Sequence, residues 1–219
     1  NNNYIDLAVH DFRISGSIDY KPTSKLKFTF LAAVKSAATS QEHNILDNSN
    51  QALAYREMGT STIRKTNPFL YKDPDHIYDL PITVLPYGGI YERTDNSSFG
   101  WDTRLSFSYN DVFAEKHIVN VYGGMETNYT NRHSIWFRGW GMQYSKGEIP
   151  LYAYQVFKKG QEQKSDYFWM TNTHYRSAAF FGTATYSFAH RYQVTGTVRY
   201  EGTNYLGKAR SARWLPTWN

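Results

Sequence analysis

The sequence predicts an all-β protein: a transmembrane antiparallel up-and-down β-barrel, of which this chain supplies about seven strands. Three observations carry that expectation. Seven stretches of ten or so residues alternate apolar and polar side chains, and the connections between them alternate between a tight turn and a long or polar loop. Successive side chains on a strand point to opposite faces, so each stretch has one oily and one wet face. About 9 to 11 residues is also what a tilted strand needs to cross a bilayer's hydrocarbon. Finally, 19 Tyr and 6 Trp in 219 residues supply amphipathic rings suited to a membrane interface or to an aromatic binding platform.

The first strand, about Ala8 to Tyr20, sets Phe12, Ile14, Gly16, Ile18 and Tyr20 against Asp11, Arg13, Ser15, Ser17 and Asp19. A turn at Lys21-Pro22-Thr23-Ser24 follows, because proline fixes φ and removes a ladder donor. The second strand, about Lys25 to Ala37, carries Leu26, Phe28, Phe30, Ala32 and Val34 on one parity. From about Ala38 to Ser97 the alternation fails, and Asn67-Pro68, Asp73-Pro74, Leu80-Pro81 and Leu85-Pro86 act as breakers. An irregular stretch of that length suits a barrel's external loop, with room for a short element near Gln51 to Met58 or Ile82 to Tyr87.

Strand three, about Ser98 to Asn110, opposes Trp101, Thr103, Leu105, Phe107 and Tyr109 to Asp102, Arg104, Ser106 and Ser108. A turn at 111–116 leads to strand four, about His117 to Thr130, and a second long loop is expected over 131–172. Strand five, about Thr173 to Phe188, turns at Ala189-His190-Arg191 into strand six, about Tyr192 to Thr203. A polar loop from Gly202 to Arg210 precedes a seventh strand opening near Ser211. Short turns follow odd strands and long loops even ones, so all turns share one rim. In this class the turns are periplasmic and the loops extracellular. An odd strand count below eight implies a section of a larger barrel, all within one domain.

Composition narrows the function classes. There is no cysteine, which excludes thiol nucleophiles, disulfides and cysteine-bound zinc. Mean hydropathy is −0.63, and the longest apolar run, Phe30 to Val34, is far short of the roughly 18 residues of a membrane helix. The first ten residues lack the basic and apolar regions of a signal peptide. The net charge of +5 is scattered, with no basic run longer than a pair (Arg64-Lys65, Lys158-Lys159), so nucleic acid is not an expected partner. Seven histidines form no ligand pair, and Ser15-Gly16-Ser17 is no nucleophile elbow. Asp73, Asp75 and Asp79 lack the spacing and glycine of a calcium loop and read as a solvated acidic segment. No catalytic residue, metal or cofactor is expected. Asn96-Ser97-Ser98 and Asn128-Tyr129-Thr130 match the glycosylation sequon by chance.

Candidate binding residues follow from position. Trp136, Trp140, Tyr167 and Trp169 fall in the second long loop, where rings can stack on a ligand or pack against neighbouring protein. Arg13, Asp19, Arg104, Arg199 and Glu201 occupy the polar parity and are expected to line the lumen, as an ion-pair network or as contacts to whatever fills it.

Two segments resemble a known family. Ser106 to Glu126 (SFSYNDVFAEKHIVNVYGGME) resembles the Y-N-x-x-F-x-E-K-H-x-x-x-x-x-x-G-x-E hairpin of SusC/RagA-type TonB-dependent transporters of the Bacteroidetes. Tyr186 to Thr203 (YSFAHRYQVTGTVRYEGT), followed by Leu206-Gly207, Arg210, Arg213-Trp214 and Pro216, is similar to their mid-barrel signature. Glu201, Thr203 and Leu206 replace that signature's usual Asp, Ser and Phe. The resemblance implies a 22-stranded barrel with an N-terminal plug in the cell outer membrane, in contact with lipid and lipopolysaccharide. It further implies a SusD-like surface lipoprotein as lid, and uptake of oligosaccharides or peptides driven by the TonB complex. No plug or TonB box is identifiable in these residues. The motifs are structural and leave three alternatives open: a passive porin, an outer-membrane barrel enzyme, and a soluble aromatic-rich glycan-binding β-protein.

Overall fold

Alternation, turn chemistry and capping each leave a visible mark on the computed structural model, which describes residues 2–206 and 214–219. Its strands are β1 (Asn3–Tyr20), β2 (Leu26–Ile45), β3 (Gly89–Phe113), β4 (His117–Gln143), β5 (Ile149–Pro150), β6 (Phe168–Phe188), β7 (Tyr192–Thr203) and β8 (Trp214–Trp218). Three short helices, α1 (Asn50–Arg56), α2 (Ser61–Thr66) and α3 (Gln155–Gln163), lie between them. The sheet is open, antiparallel and up-and-down, in the order β1-β2-β3-β4-β6-β7-β8, with the two-residue β5 paired to β4. β7 has the bounds expected of it; the expected start of the last strand, Ser211, lies outside the described residues.

The long loops expected over 38–97 and 131–172 need correction. β2 continues to Ile45, β3 begins at Gly89, β4 reaches Gln143 and β6 begins at Phe168. Alternation marks a strand only while one face is apolar; a ladder with polar residues on both faces still pairs but shows no period of two. The Asn- and Ser-rich composition over 46–88 also has a use. Ser49 Oγ accepts the Ala52 N–H (3.1 Å) at the start of α1, and Thr60 Oγ1 accepts the Ile63 N–H (3.2 Å) at the start of α2. Asn67 donates to the carbonyls of Ala54 (2.9 Å) and Glu57 (3.1 Å), pinning the two helices together.

The residues group into two compact units. One comprises Asn1–His10, Ala38–Asn96 and His133–Thr171, the other Asp11–Ala37, Ser97–Arg132 and Asn172–Asn219. The first holds the buried core. Ile45, Ala52, Leu85 and Ile90 form one cluster and Tyr71, Val84 and Val156 another, and Tyr55 and Trp140 pack against both. Arg56 donates to the carbonyls of Leu85 (3.0 Å), Asp47 (2.7 Å) and Gly88, tying α1 to the segment that leads into β3. Gly141 has φ +70°, and a Cβ there would overlap the Leu151 carbonyl, so only glycine lets β4 bend at this point.

Among its described residues the second unit has no such core, because its apolar side chains lie on the surface of the sheet. The β6–β7 register pairs Phe180 with Tyr200, Gly182 with Val198, Ala184 with Gly196, Tyr186 with Val194 and Phe188 with Tyr192 on one face. The opposite face pairs Phe181 with Arg199, Thr183 with Thr197 and Thr185 with Thr195. Val194 and Tyr192 are about 70% exposed, and Phe12, Ile14 and Ile18 about 60 to 70%. A soluble protein hides surface of this kind, since fully burying such a side chain is worth about 1.5–3 kcal/mol.

Two turns of this unit are alike. Ala114 and Glu115 (φ 47° and 59°) join β3 to β4, and Ala189 and His190 (φ 51° and 57°) join β6 to β7. Consecutive left-handed residues define the type I′ hairpin, whose twist matches that of its strands. The closing bonds are Lys116 N–H to the Phe113 carbonyl (3.3 Å) and Arg191 N–H to the Phe188 carbonyl (2.9 Å). The Ala189 N–H also donates to the Lys116 carbonyl (2.7 Å), so the two turns are neighbours. Trp101, Tyr129 and Arg176 each stand twelve positions from the turn end of their strand, at Phe113, His117 and Phe188 respectively.

Candidate binding site

In the core-bearing unit, Trp136, Arg138 and Trp140 share a parity of β4 and so a face. The Arg138 guanidinium lies 5.1 Å from the Trp136 ring centre and 5.6 Å from that of Trp140, and its Nε donates to Glu92 Oε1 at 2.7 Å. A guanidinium held between two indoles gains from both ring quadrupoles while its plane is fixed. Its backbone N–H donates to the Tyr167 carbonyl (2.8 Å), which anchors the start of β6. Around this group opens a pocket of about 640 Å³ lined by Tyr55, Phe69, Arg138, Trp140, Phe157 and Tyr167 among others. The rings meet edge-on or tilted: Tyr55 to Trp140 at 5.3 Å, Tyr55 to Phe69 at 4.7 Å, Phe157 to Tyr167 at 5.3 Å.

Volume and lining fall within the range of small-molecule sites, which are apolar and aromatic with a few convergent polar groups. Here those groups are Arg138, Lys159, Lys164 and Asp166. Burial pushes the Tyr55 hydroxyl above its ordinary pKa, against the opposing pull of Arg138, so it stays a neutral hydrogen-bonding group. Aromatic faces beside cations suit a ligand with flat or apolar groups and a carboxylate or several hydroxyls.

In the other unit the polar face carries an ion-pair ladder. Lys27 meets Asp19 at 2.9 Å, and Glu126 accepts from Arg104 (2.8 Å) and Arg199 (2.6 Å); Arg199 also holds Glu201 (2.8 Å). The Arg104 guanidinium stands 5.9 Å from the Phe181 ring centre. Singly, exposed pairs of this kind contribute about 0–1 kcal/mol; sharing Glu126 ties three strands into one network.

Of the residues singled out from the sequence, Trp140 and Tyr167 line the pocket and Trp136 reaches it through Arg138. Trp169 lies on β6, 40% exposed, and does not line it. Arg104, Arg199, Asp19 and Glu201 fall in the ladder, while Arg13 is exposed on β1 with no ion pair among the described residues. Sequence reasoning missed Arg138, although the Trp-x-Arg-x-Trp spacing puts it on the indole face. It also missed Glu126, whose polar parity beside Arg104 and Arg199 was visible. Tyr55 and Phe69 gave no signal, because α1 and α2 bring them in from a segment without alternation.

No known family profile matches the chain. In sequence it is 28% identical over 137 residues to the human protein named "Probable maltase-glucoamylase 2", a match covering 59% of this chain and 5% of that protein. In structure it matches a chain of the RagAB peptide transporter with a TM-score of 0.67 at 14% identity, over 99% of this chain and 20% of the solved one. The RagAB peptide importer gives TM-scores of 0.64 in its "closed-closed" state and 0.63 in its "open-open" state, again at 14% identity and 99% of this chain, covering 20% and 19% of those chains. The chain thus spans about a fifth of the transporter chains whose fold it shares. At this identity the likeness is one of fold.

Proposed function

We propose that this chain is a wall section of an outer-membrane nutrient importer of the SusC/RagA type, without catalytic activity, that takes up peptides or oligosaccharides. Its working partners are a SusD-like surface lipoprotein and, through other parts of such a protein, the TonB complex. One observation carries the reading: an apolar face left exposed and bounded at a fixed height. Between the aromatic residues near the turns and Trp101, Tyr129 and Arg176, the apolar parity holds no charged side chain over 103–109, 119–127, 178–186 or 194–200. Twelve residues at about 3.3 Å each, tilted about 45°, rise roughly 28 Å, close to the hydrocarbon thickness of a bilayer. The fold shared with the RagAB peptide transporter supports the same reading.

In this reading the type I′ turns face the periplasm, and the aromatic pocket around Arg138 opens on the extracellular side as a ligand contact. Cysteine labelling tests both placements, since the chain has no cysteine of its own. With a membrane-impermeant maleimide on intact cells, Tyr78→Cys in the 67–88 segment is expected to react, and Glu115→Cys only after permeabilisation. Equal labelling at both sites, with release by salt or alkaline carbonate, would favour the soluble glycan-binding alternative. For the pocket, Trp140→Ala in the detergent-purified protein is expected to weaken binding of the transported ligand at least tenfold. Unchanged affinity would remove the pocket from the reading.

A further inference from the structure

We propose that the apolar face carries a binding site for a phosphorylated glycolipid of the lipid A type, with Arg176, Tyr129 and Trp101 holding a phosphate and a glycine-floored groove taking an acyl chain. The inference rests on the reading that this face meets lipid. Trp101 and Tyr129 stack with ring centres 5.9 Å apart and planes inclined by 24°. The Arg176 guanidinium stands 5.6 Å from the Tyr129 ring centre. These three side chains, with Thr127, Asn128 and Ser177, border a hollow of about 490 Å³.

Arg176 is the anomaly. It has the parity of Phe180, Gly182 and Tyr186, residues of the apolar face, yet it is a permanent cation. Among the described residues it has no ion pair, and the sequence over 207–213 contains no carboxylate. Its backbone is tied to the neighbouring strand: the Arg176 N–H donates to Asn204 Oδ1 (2.7 Å), and the Asn204 N–H returns to the Arg176 carbonyl (3.1 Å). A guanidinium on a backbone-anchored residue, over the Tyr129 ring and without an ion-pair partner among the described residues, at the edge of an apolar band, is matched by a phosphate, which it can grip through two parallel hydrogen bonds.

The second half of the site lies along the same strands. Gly123, Gly182, Ala184 and Gly196 floor a groove of about 440 Å³ flanked by Phe107 and Val198. The missing side chains leave a channel on an otherwise bulky apolar surface, which suits a hydrocarbon chain. From Arg176 to Gly182 is six residues of β6, roughly 20 Å along an extended strand, about the length of a long acyl chain. The spacing from the turns puts the cationic end at the interface opposite the periplasm, where the lipid is phosphorylated glycolipid rather than phospholipid.

Native mass spectrometry of the detergent-purified transporter that carries this chain tests the site, using lipid A, its dephosphorylated form and phosphatidylglycerol as probes. Lipid A is expected to bind, with Arg176→Gln lowering its affinity at least tenfold, Arg176→Lys restoring part of the loss, and the dephosphorylated form insensitive to either change. Gly182→Leu is expected to weaken both glycolipids alike. Equal lipid A binding by wild type and Arg176→Gln, or phosphatidylglycerol binding as tight as lipid A, would overturn the proposal. Quenching of Trp101 fluorescence by brominated lipid, read as the difference from Trp101→Phe in vesicles, separates the two levels. Quenching with no effect of Arg176→Gln removes the phosphate site alone, whereas absence of quenching removes the membrane reading beneath it.

Discussion

Glu126 shows how much one side chain can join. It accepts from Arg104 on one strand and Arg199 on another, so replacing it leaves two guanidiniums facing one another without their shared anion. Glu126→Gln is expected to cost roughly 1–2 kcal/mol after solvent screening, read as a lower urea midpoint in detergent. Adding Arg199→Gln should restore part of that loss, because the repulsion goes with it. Asp73 acts at shorter range. Its carboxylate accepts the Asp75 N–H (3.1 Å) and lies 3.2 Å from the His76 ring, and these bonds hold its pKa below the ordinary carboxylate value. A depressed pKa means that the stabilisation is present above the unfolded-state value near 4 and is lost as pH falls through the folded-state value. Hydrogen exchange at the Asp75 amide should therefore accelerate, beyond its intrinsic pH dependence, as pH falls below about 4, and Asp73→Asn should abolish the transition.

Among the elements, the type I′ turns carry a conformational cost. Ala114, Glu115, Ala189 and His190 all sit at positive φ without being glycine, and an L-residue there loses about 1 kcal/mol or more relative to glycine. Ala189→Asn with His190→Gly should gain roughly 1–2 kcal/mol in unfolding stability and speed closure of the β6–β7 hairpin, measured by denaturant titration and refolding kinetics. The sequence located the β6–β7 turn at 189–191 and the β3–β4 turn to within three residues, because the parity of the flanking strands brackets them. It misjudged the strands beyond the apolar band. Gln41 to Ile45 and Ser134 to Gln143 pair into the sheet with apolar and polar residues mixed on both faces, and only a consistently oily face imprints a period of two on sequence. The pocket was half legible for the same reason: Trp136 and Trp140 advertise themselves on β4, while Tyr55 arrives on a helix whose only signal is the Ser49 cap.

At the scale of the whole molecule, the two faces of the sheet should respond to charge in opposite ways. Val121 lies mid-band on the apolar parity and Thr183 on the polar one. Val121→Arg should cost about 2–4 kcal/mol of membrane-embedded stability, the value for a lipid-facing arginine near the bilayer midplane, while Thr183→Arg should fold almost normally. Heat-modifiable gel mobility, compared between the two variants, reads the difference; equal behaviour would mean that both faces meet water. The twelve-residue interval from the turns to Trp101, Tyr129 and Arg176 also acts as a ruler. A protein whose apolar band is cut to one height is at ease only in a bilayer of that thickness, and each ångström of mismatch costs a fraction of a kcal/mol on every strand. Summed around the barrel wall of the proposed importer, that small penalty becomes an address: it favours a thin membrane over a thick one, and lengthening each strand by a residue pair is expected to redirect the protein without altering a contact in its binding pocket.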